Sequence, residues 1–206
     1  MIKISELKGE NLSFKYGKNE ILKNVNINIK SNEVKGLIGD SGSGKSTLCK
    51  ILAGYKNTKT GFVTIDNEPI PNKGFNPVQL IFQHPELTVN PKWKMHQVLE
   101  ESWDVNDEIL EEFGIQKSWL QRYPNELSGG ELQRFAVLRA LNPKTKFLIA
   151  DEMTTMLDAI TQVQIWNLVL DLTKKRNVGL LVVSHDKDLV KRVCDDIMYL
   201  NDINHL

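Results

Sequence analysis

The sequence has little that would tie it to a membrane, to nucleic acid or to an oxidising compartment. Its 26 Lys+Arg are balanced by 26 Asp+Glu, for a formal net charge of +0. Without an excess of positive charge there is no bulk attraction for phosphate backbones or anionic lipid, so non-specific polyanion binding is excluded as the main function. No apolar run approaches the roughly 18 residues that a membrane-crossing helix requires. The first residues, Met1-Ile2-Lys3-Ile4-Ser5-Glu6, lack the apolar stretch of a signal peptide. Cysteine is scarce: Cys49 and Cys194 stand alone, without a CxxC pair. That is neither a disulfide framework nor a thiolate metal site, and it fits a reducing, cytosolic compartment. Internal repeats, low-complexity tracts and linkers are also missing.

What remains is an ordinary globular composition, 41% hydrophobic and 25% charged. At ~150 residues per domain the length corresponds to about one and a half units, so one compact domain with a sizeable insertion is expected. The first stretch reads as antiparallel strands, Asn11 to Tyr16 and Ile21 to Ile29, joined by turn chemistry at Gly17-Lys18-Asn19. In the second, Val25, Ile27 and Ile29 alternate with polar residues, as on a half-buried strand. Val34 to Ile38, Phe62 to Ile65 and Leu80 to Phe82 read as further strands, with a turn at Asp66-Asn67 and a helix over Thr47 to Leu52. From Asn90 to about Glu126 strand patterns vanish. Val98, Leu99, Ile109, Leu110 and Phe113 recur at roughly helical spacing, and Trp93, Trp103 and Trp119 all fall here, so this segment reads as a helical insertion. Beyond it, helices (Glu131 to Leu141, Ala159 to Lys175, Asp186 to Cys194) alternate with apolar strands (Phe147 to Ala150, Gly179 to Ser184, Ile197 to Leu200). Such alternation implies a parallel sheet covered on both faces.

The chemistry begins at Gly39-Asp40-Ser41-Gly42-Ser43-Gly44-Lys45-Ser46, which fits the phosphate-loop pattern G-x-x-x-x-G-K-S/T between a strand and a helix. Glycines let the backbone curl so that successive N–H groups point at phosphate oxygens, and the helix start adds its positive dipole end. Lys45 is placed to reach the β- and γ-phosphates, and the Ser46 hydroxyl to ligate Mg2+. Downstream, Phe147-Leu148-Ile149-Ala150 is an apolar strand that ends in two acids, Asp151 and Glu152. Alone, an acidic strand end is an ordinary solvated turn. In a parallel sheet with a phosphate loop, strand ends share one crevice. Asp151 would then hold Mg2+, and Glu152 would accept a proton from an attacking water. A further motif, Leu127-Ser128-Gly129-Gly130-Glu131, precedes a helix; Ser128 with Glu131 makes a capping box. The box leaves Gly129-Gly130 unexplained unless something approaches the backbone closely, which points to a second phosphate-facing helix start.

Taken in order, the phosphate loop, Leu127-Ser128-Gly129-Gly130-Glu131 and Phe147 to Glu152 resemble an ABC-type ATPase over essentially the whole chain. The resemblance implies an α/β fold. Its parts are a RecA-like P-loop NTPase core with a mainly parallel sheet, an N-terminal antiparallel β subdomain and an inserted α-helical subdomain at about 90–126, all one domain spanning 1–206. It implies that Gly39 to Thr47 bind ATP and that Ser128, Gly129 and Gly130 contact the γ-phosphate held by a second ATPase subunit. By the same resemblance Gln83 is the glutamine that senses Mg2+ and the attacking water. His185 is the histidine that steadies the γ-phosphate, and Asp158 is the aspartate at the dimer interface. Tyr16 is the aromatic that stacks on adenine, with Phe14 as runner-up. Two positions depart from the family's usual pattern: Met153 where proline is common after the glutamate, and Thr155-Met156 before Leu157-Asp158.

The stretch Gln83-His84-Pro85 to Asn90-Pro91 and the stretch Asp158 to Trp166 are similar to importer ATPases for peptides and nickel. That resemblance implies a peripheral place on the cytoplasmic face of the membrane. It also implies permease subunits docked in a groove of the helical insertion, a solute-binding protein acting indirectly, and no nucleic acid partner. The insertion's tryptophans either line that groove or fill its own core. Longer members carry a C-terminal extension, whereas six residues follow Leu200 here. The alternative is a soluble ABC ATPase of DNA repair or translation. Repair members need a long coiled coil and translation members usually carry two cassettes; the sequence has neither.

Overall fold

A computed structural model of the chain describes residues 4–71 and 73–206. Met1 to Lys3, part of the start read above as lacking a signal stretch, lie outside the described residues. The first half runs β1 (Glu6–Tyr16), β2 (Asn19–Lys30), β3 (Val34–Ile38), α1 (Lys45–Leu52), β4 (Thr60–Ile65), β5 (Glu68–Pro69) and β6 (Val78–Ile81). There follow α2 (Met95–Glu100), α3 (Asp107–Glu112) and α4 (Gly129–Ala140), with single 3-10 turns at Pro85–Leu87, Lys117–Gln121 and Pro124–Glu126. The chain closes with β7 (Phe147–Asp151), α5 (Ala159–Lys175), β8 (Gly179–Val183), α6 (Lys187–Val193), β9 (Asp196–Tyr199) and α7 (Leu200–Ile203).

Two sheets result. The antiparallel one has the order β2-β1-β4-β5, and the five-stranded one, β6-β7-β8-β3-β9, is parallel throughout. In β2 the alternation seen in the sequence is met residue by residue: Leu22, Val25, Ile27 and Ile29 are buried, while Asn24, Asn26 and Asn28 are exposed. β1 starts at Glu6, earlier than Asn11, because Leu7 is buried and paired with both Ile29 and Ile65. Charged Glu6, Lys8 and Glu10 around Leu7 hide this half of the strand from a reading by hydrophobic pattern.

The inner parallel strands β7, β8 and β3 are buried on both faces, and alternate residues serve different cores. Leu148, Ala150, Leu180 and Val182 join the cluster under α4 and α5. Phe147, Ile149, Leu181 and Val183 join the cluster that holds α1 and the antiparallel sheet. The segment read as a helical insertion holds only α2, α3 and two 3-10 turns. Gly114, at φ 61, and Pro124 interrupt it, so its helices are short although Val98, Leu99, Leu110 and Phe113 are buried as expected. Its tryptophans pack inward: Trp119 is buried, Trp93 and Trp103 lie against the same core, and Trp103 Nε1 donates to the Leu138 carbonyl at 3.1 Å. Cys49 and Cys194 are both free thiols. Among the described residues no helix is long and apolar enough to cross a membrane.

Candidate active site

The site sits at the carboxyl ends of β3, β7 and β8, which are neighbours in the parallel sheet. β3 ends at Ile38, and the chain then turns through Gly39 to Gly44 into α1. Gly44 has φ 107, a left-handed conformation in which any side chain would be strained, and its missing Cβ would meet Ile21 Cγ2 at 2.9 Å. Asp40, Ser41, Gly42 and Ser46 are exposed along the loop, whereas Lys45 and Thr47 are buried. Lys45 Nζ donates to the carbonyls of Gly39 and Asp40, at 2.7 Å and 2.8 Å. An ammonium has three donors, so one remains for a phosphate oxygen while the other two hold the loop. Ser43 Oγ is buried with no hydrogen-bond partner.

Asp151 ends β7 and is only 5% exposed, and its Oδ1 has no partner within the chain. Burial pushes its carboxyl above the ordinary value; the Ser46 hydroxyl bonded to it pulls the other way. A buried carboxylate oxygen left without a proton donor costs about 1–3 kcal/mol or more unless something else satisfies it. A hard cation would do so, and with the adjacent Ser46 hydroxyl the donor set is all oxygen, as Mg2+ prefers. Among the described residues no group of three or more His, Cys, Asp or Glu could hold a metal ion by itself. A cation there would need further ligands such as phosphate oxygens.

Glu152 follows at φ 50, a left-handed conformation uncommon outside glycine and concentrated at functional sites. Its N–H donates to the Val183 carbonyl at 2.9 Å, which ties the turn to the end of β8. Its carboxylate lies 3.0 Å from His185 Nδ1. Gly39, Asp40, Ser41, Glu152 and His185 line one cleft of about 390 Å3, together with Lys187. Gln83, just past β6, donates through Nε2 to Thr155 Oγ1 at 3.1 Å. With Ser46 and Asp151 it lines a larger groove of about 540 Å3, whose other walls include Tyr55, Phe82, Leu87 and Arg139. Tyr16 is 49% exposed, and its hydroxyl is pulled below the ordinary phenol value by a hydrogen bond to Thr47, with Lys56 adding to the effect. Lys56 Nζ lies 5.0 Å from the Tyr16 ring centroid, and Phe14 packs edge-on to that ring at 4.9 Å.

Phosphate loop, acids, histidine and glutamine are therefore brought together. The signature residues do not line the cleft with Glu152 and His185, although Gly129 shares a pocket with Gln83. Ser128 caps α4: Glu131 N–H donates to its hydroxyl at 3.3 Å, and Glu131 Oε2 accepts from Ser128 N–H at 2.7 Å. The signature glycines face Leu157 and Thr161, whereas the loop glycines face Ile21, Leu22 and Leu200. Thr161 Cγ2 would lie 2.9 Å from a Cβ on Gly130, so a neighbour within the chain accounts for that glycine; Gly129 has nothing closer than 4.0 Å. Asp158 caps α5, accepting from Ile160 N–H and Thr161 N–H, each at 3.0 Å. Met153 is buried in the larger core, and Met156 is exposed.

Two residues at the site carry no signal in the sequence, and a third shows there only as an unusual residue. Lys187 and Lys56 sit in no motif and reach the site only through folding. Thr155 was noticed as a departure from pattern; its position three residues after Glu152 is the signal that its hydroxyl can return to the Glu152 carbonyl.

Comparison with known proteins agrees with the geometry. The family model described as ABC transporter matches residues 22–155. The oligopeptide transport ATP-binding protein OppF of Streptococcus mutans is 35% identical, the match covering 95% of this chain and 71% of that protein. The nickel import system ATP-binding protein NikE of Staphylococcus aureus is 34% identical, over 94% of this chain and 85% of that protein. Among solved structures, the dimeric post-hydrolysis state of the ATP-binding cassette MJ0796 bound to ADP and Pi superposes with a TM-score of 0.79 at 28% identity. That match covers 94% of this chain and 93% of MJ0796.

Proposed function

Because the chain belongs to the ABC transporter family and is an ATPase of that type, we propose that it energises a membrane importer for oligopeptides or nickel. It would act on the cytoplasmic face of the membrane with permease subunits and, indirectly, a solute-binding protein. The names of its relatives support the importer class. The observation that carries the catalytic reading is the cleft in which Glu152 and His185 face the phosphate loop.

In this reading the N–H groups of Gly39 to Thr47 and the free donor of Lys45 hold the phosphates of ATP. Ser46 and Asp151 hold Mg2+, which when bound offsets charge on the transferred phosphoryl group. Glu152 takes the proton of the attacking water, and His185, whose Nδ1 lies 3.0 Å from that carboxylate, steadies the γ-phosphate. Tyr16 offers its exposed ring to the adenine. Ser128, Gly129, Gly130 and Asp158 complete the site of a second ATPase subunit; for Gly129, a Cβ would meet nothing closer than 4.0 Å, which supports that role. The groove beside Gln83 supports a permease contact. It runs from Ser46 and Asp151 to exposed Tyr55 and Leu87, so a shift at the nucleotide would be felt by whatever docks there.

Glu152→Gln tests the reading. The variant should bind ATP like the parent, lose turnover by about 100-fold or more, and persist as an ATP-bound dimer in size-exclusion chromatography. Turnover near the parent's would remove Glu152 as the base.

A further inference from the structure

The structure assigns Thr155 as a positioning residue that links Gln83 to Glu152. Its hydroxyl does two things at once: Oγ1 accepts from Gln83 Nε2 at 3.1 Å and donates to the Glu152 carbonyl at 3.0 Å. Thr155 N–H adds a longer bond to the same carbonyl at 3.3 Å. Glu152 is the left-handed residue at the end of β7, and this carbonyl belongs to one of the two peptides that set its backbone, the other being tied through the Glu152 N–H to the Val183 carbonyl. Thr155 is exposed, so core packing does not account for it, and Thr155 and Gln83 are 72 residues apart. One hydroxyl therefore joins the end of β6 to the end of β7.

The consequence is directional. Gln83 lines the groove that also holds Ser46 and Asp151, and it lines a second pocket with Gly129, Met153, Met156 and Leu157. Movement of Gln83 in either place pulls on Thr155, and through it on a peptide that sets the backbone of Glu152. Alignment of the base with its water then depends on where Gln83 stands. This inference rests on the roles of Glu152 and Gln83 given above.

The test is steady-state ATP hydrolysis by the full chain, in the assembly in which it is active, for Thr155→Val, Thr155→Ser, Gln83→Ala and the Gln83→Ala/Thr155→Val double variant. Thr155→Val keeps the shape and removes both bonds; kcat should fall about tenfold while KM for ATP stays within about twofold. Thr155→Ser keeps the hydroxyl and should recover most of the loss. The double variant should lose no more than the worse single one, because both substitutions cut the same link. If Thr155→Val does not fold, Thr155→Ala takes its place with the same expectations. Parental kcat in the hydroxyl-free variant, a serine variant as slow as the valine one, or losses that multiply in the double variant would each overturn the inference. Glu152→Gln is measured alongside. If it still turns over, the base assignment and this inference fall together; if it stalls while Thr155→Val runs at the parental rate, only the inference falls.

Discussion

Gly129 and Gly130 stand side by side at the start of α4, yet a Cβ on Gly130 would lie 2.9 Å from Thr161 Cγ2 while one on Gly129 would meet nothing closer than 4.0 Å. Thr161 cannot swing its methyl aside freely, because its hydroxyl is bonded to Asp158 Oδ2 at 2.7 Å. Gly130→Ala should therefore melt below Gly129→Ala, because overpacking of about 1–3 kcal/mol outweighs the roughly 1 kcal/mol that alanine gains over glycine in a helix. Adding Thr161→Ser, which removes the methyl and keeps the hydroxyl, should restore the melting temperature. Gly129→Ala should melt no lower than the parent, since alanine favours a helix over glycine by roughly 1 kcal/mol. It should nonetheless weaken ATP-driven association, read by light scattering. The glycine pair was visible in the sequence as something a capping box does not explain. That its two members have different reasons was not, because Thr161 lies on another helix and the contact depends on how α4 and α5 cross.

Elements were legible in proportion to their length and regularity. α5 runs 17 residues with its cap at Asp158 and basic Lys174 and Lys175 in its last turn, in agreement with the helix dipole. α2 and α3 have six residues each and no basic residue in the last turn; Asn106 caps α3, with Asp107 and Glu108 in its first turn, but the change of hydrophobic period was the signal read from this segment. The cap makes a pH-dependent prediction. Hydrogen bonds, first from the Thr161 backbone, hold the Asp158 carboxyl below its ordinary value. A carboxylate lowered on folding contributes stability that is present above its unfolded pKa and lost as pH falls through the folded one. Asp158→Ala should thus melt below the parent near about pH 7, and the gap should narrow as pH falls below about 4, the range of an unfolded Asp. Calorimetric scans across that range check it; a gap that persists undiminished would show that the charge is not what caps α5.

For the molecule as a whole, nucleotide binding adds to the stability of the fold. Nucleotide at about 100 times its dissociation constant should stabilise the folded state by about 2.7 kcal/mol. Lys45→Ala removes the ammonium from the loop, and with it the two bonds to the Gly39 and Asp40 carbonyls. The measurement that isolates binding is the rise in melting temperature on adding ATP, which Lys45→Ala should largely abolish whatever it does to the chain alone. A rise equal to the parent's would remove Lys45 from the phosphate site. The balanced charge of the whole chain fits this picture, since a few local donors meet the nucleotide and no general basic surface is needed. The sequence by itself determined the alternation of strands and helices, the phosphate loop, the acid pair and the caps. Each of these depends on residues within a few positions of one another, where backbone geometry and side-chain reach follow from local order. Only the tertiary structure decided that β3, β7 and β8 would lie together, that Thr155 would join Gln83 to Glu152, and that the tryptophans of the inserted segment would face the core. Those outcomes depend on how separated segments share the buried volume of two cores, and that is a property of packing.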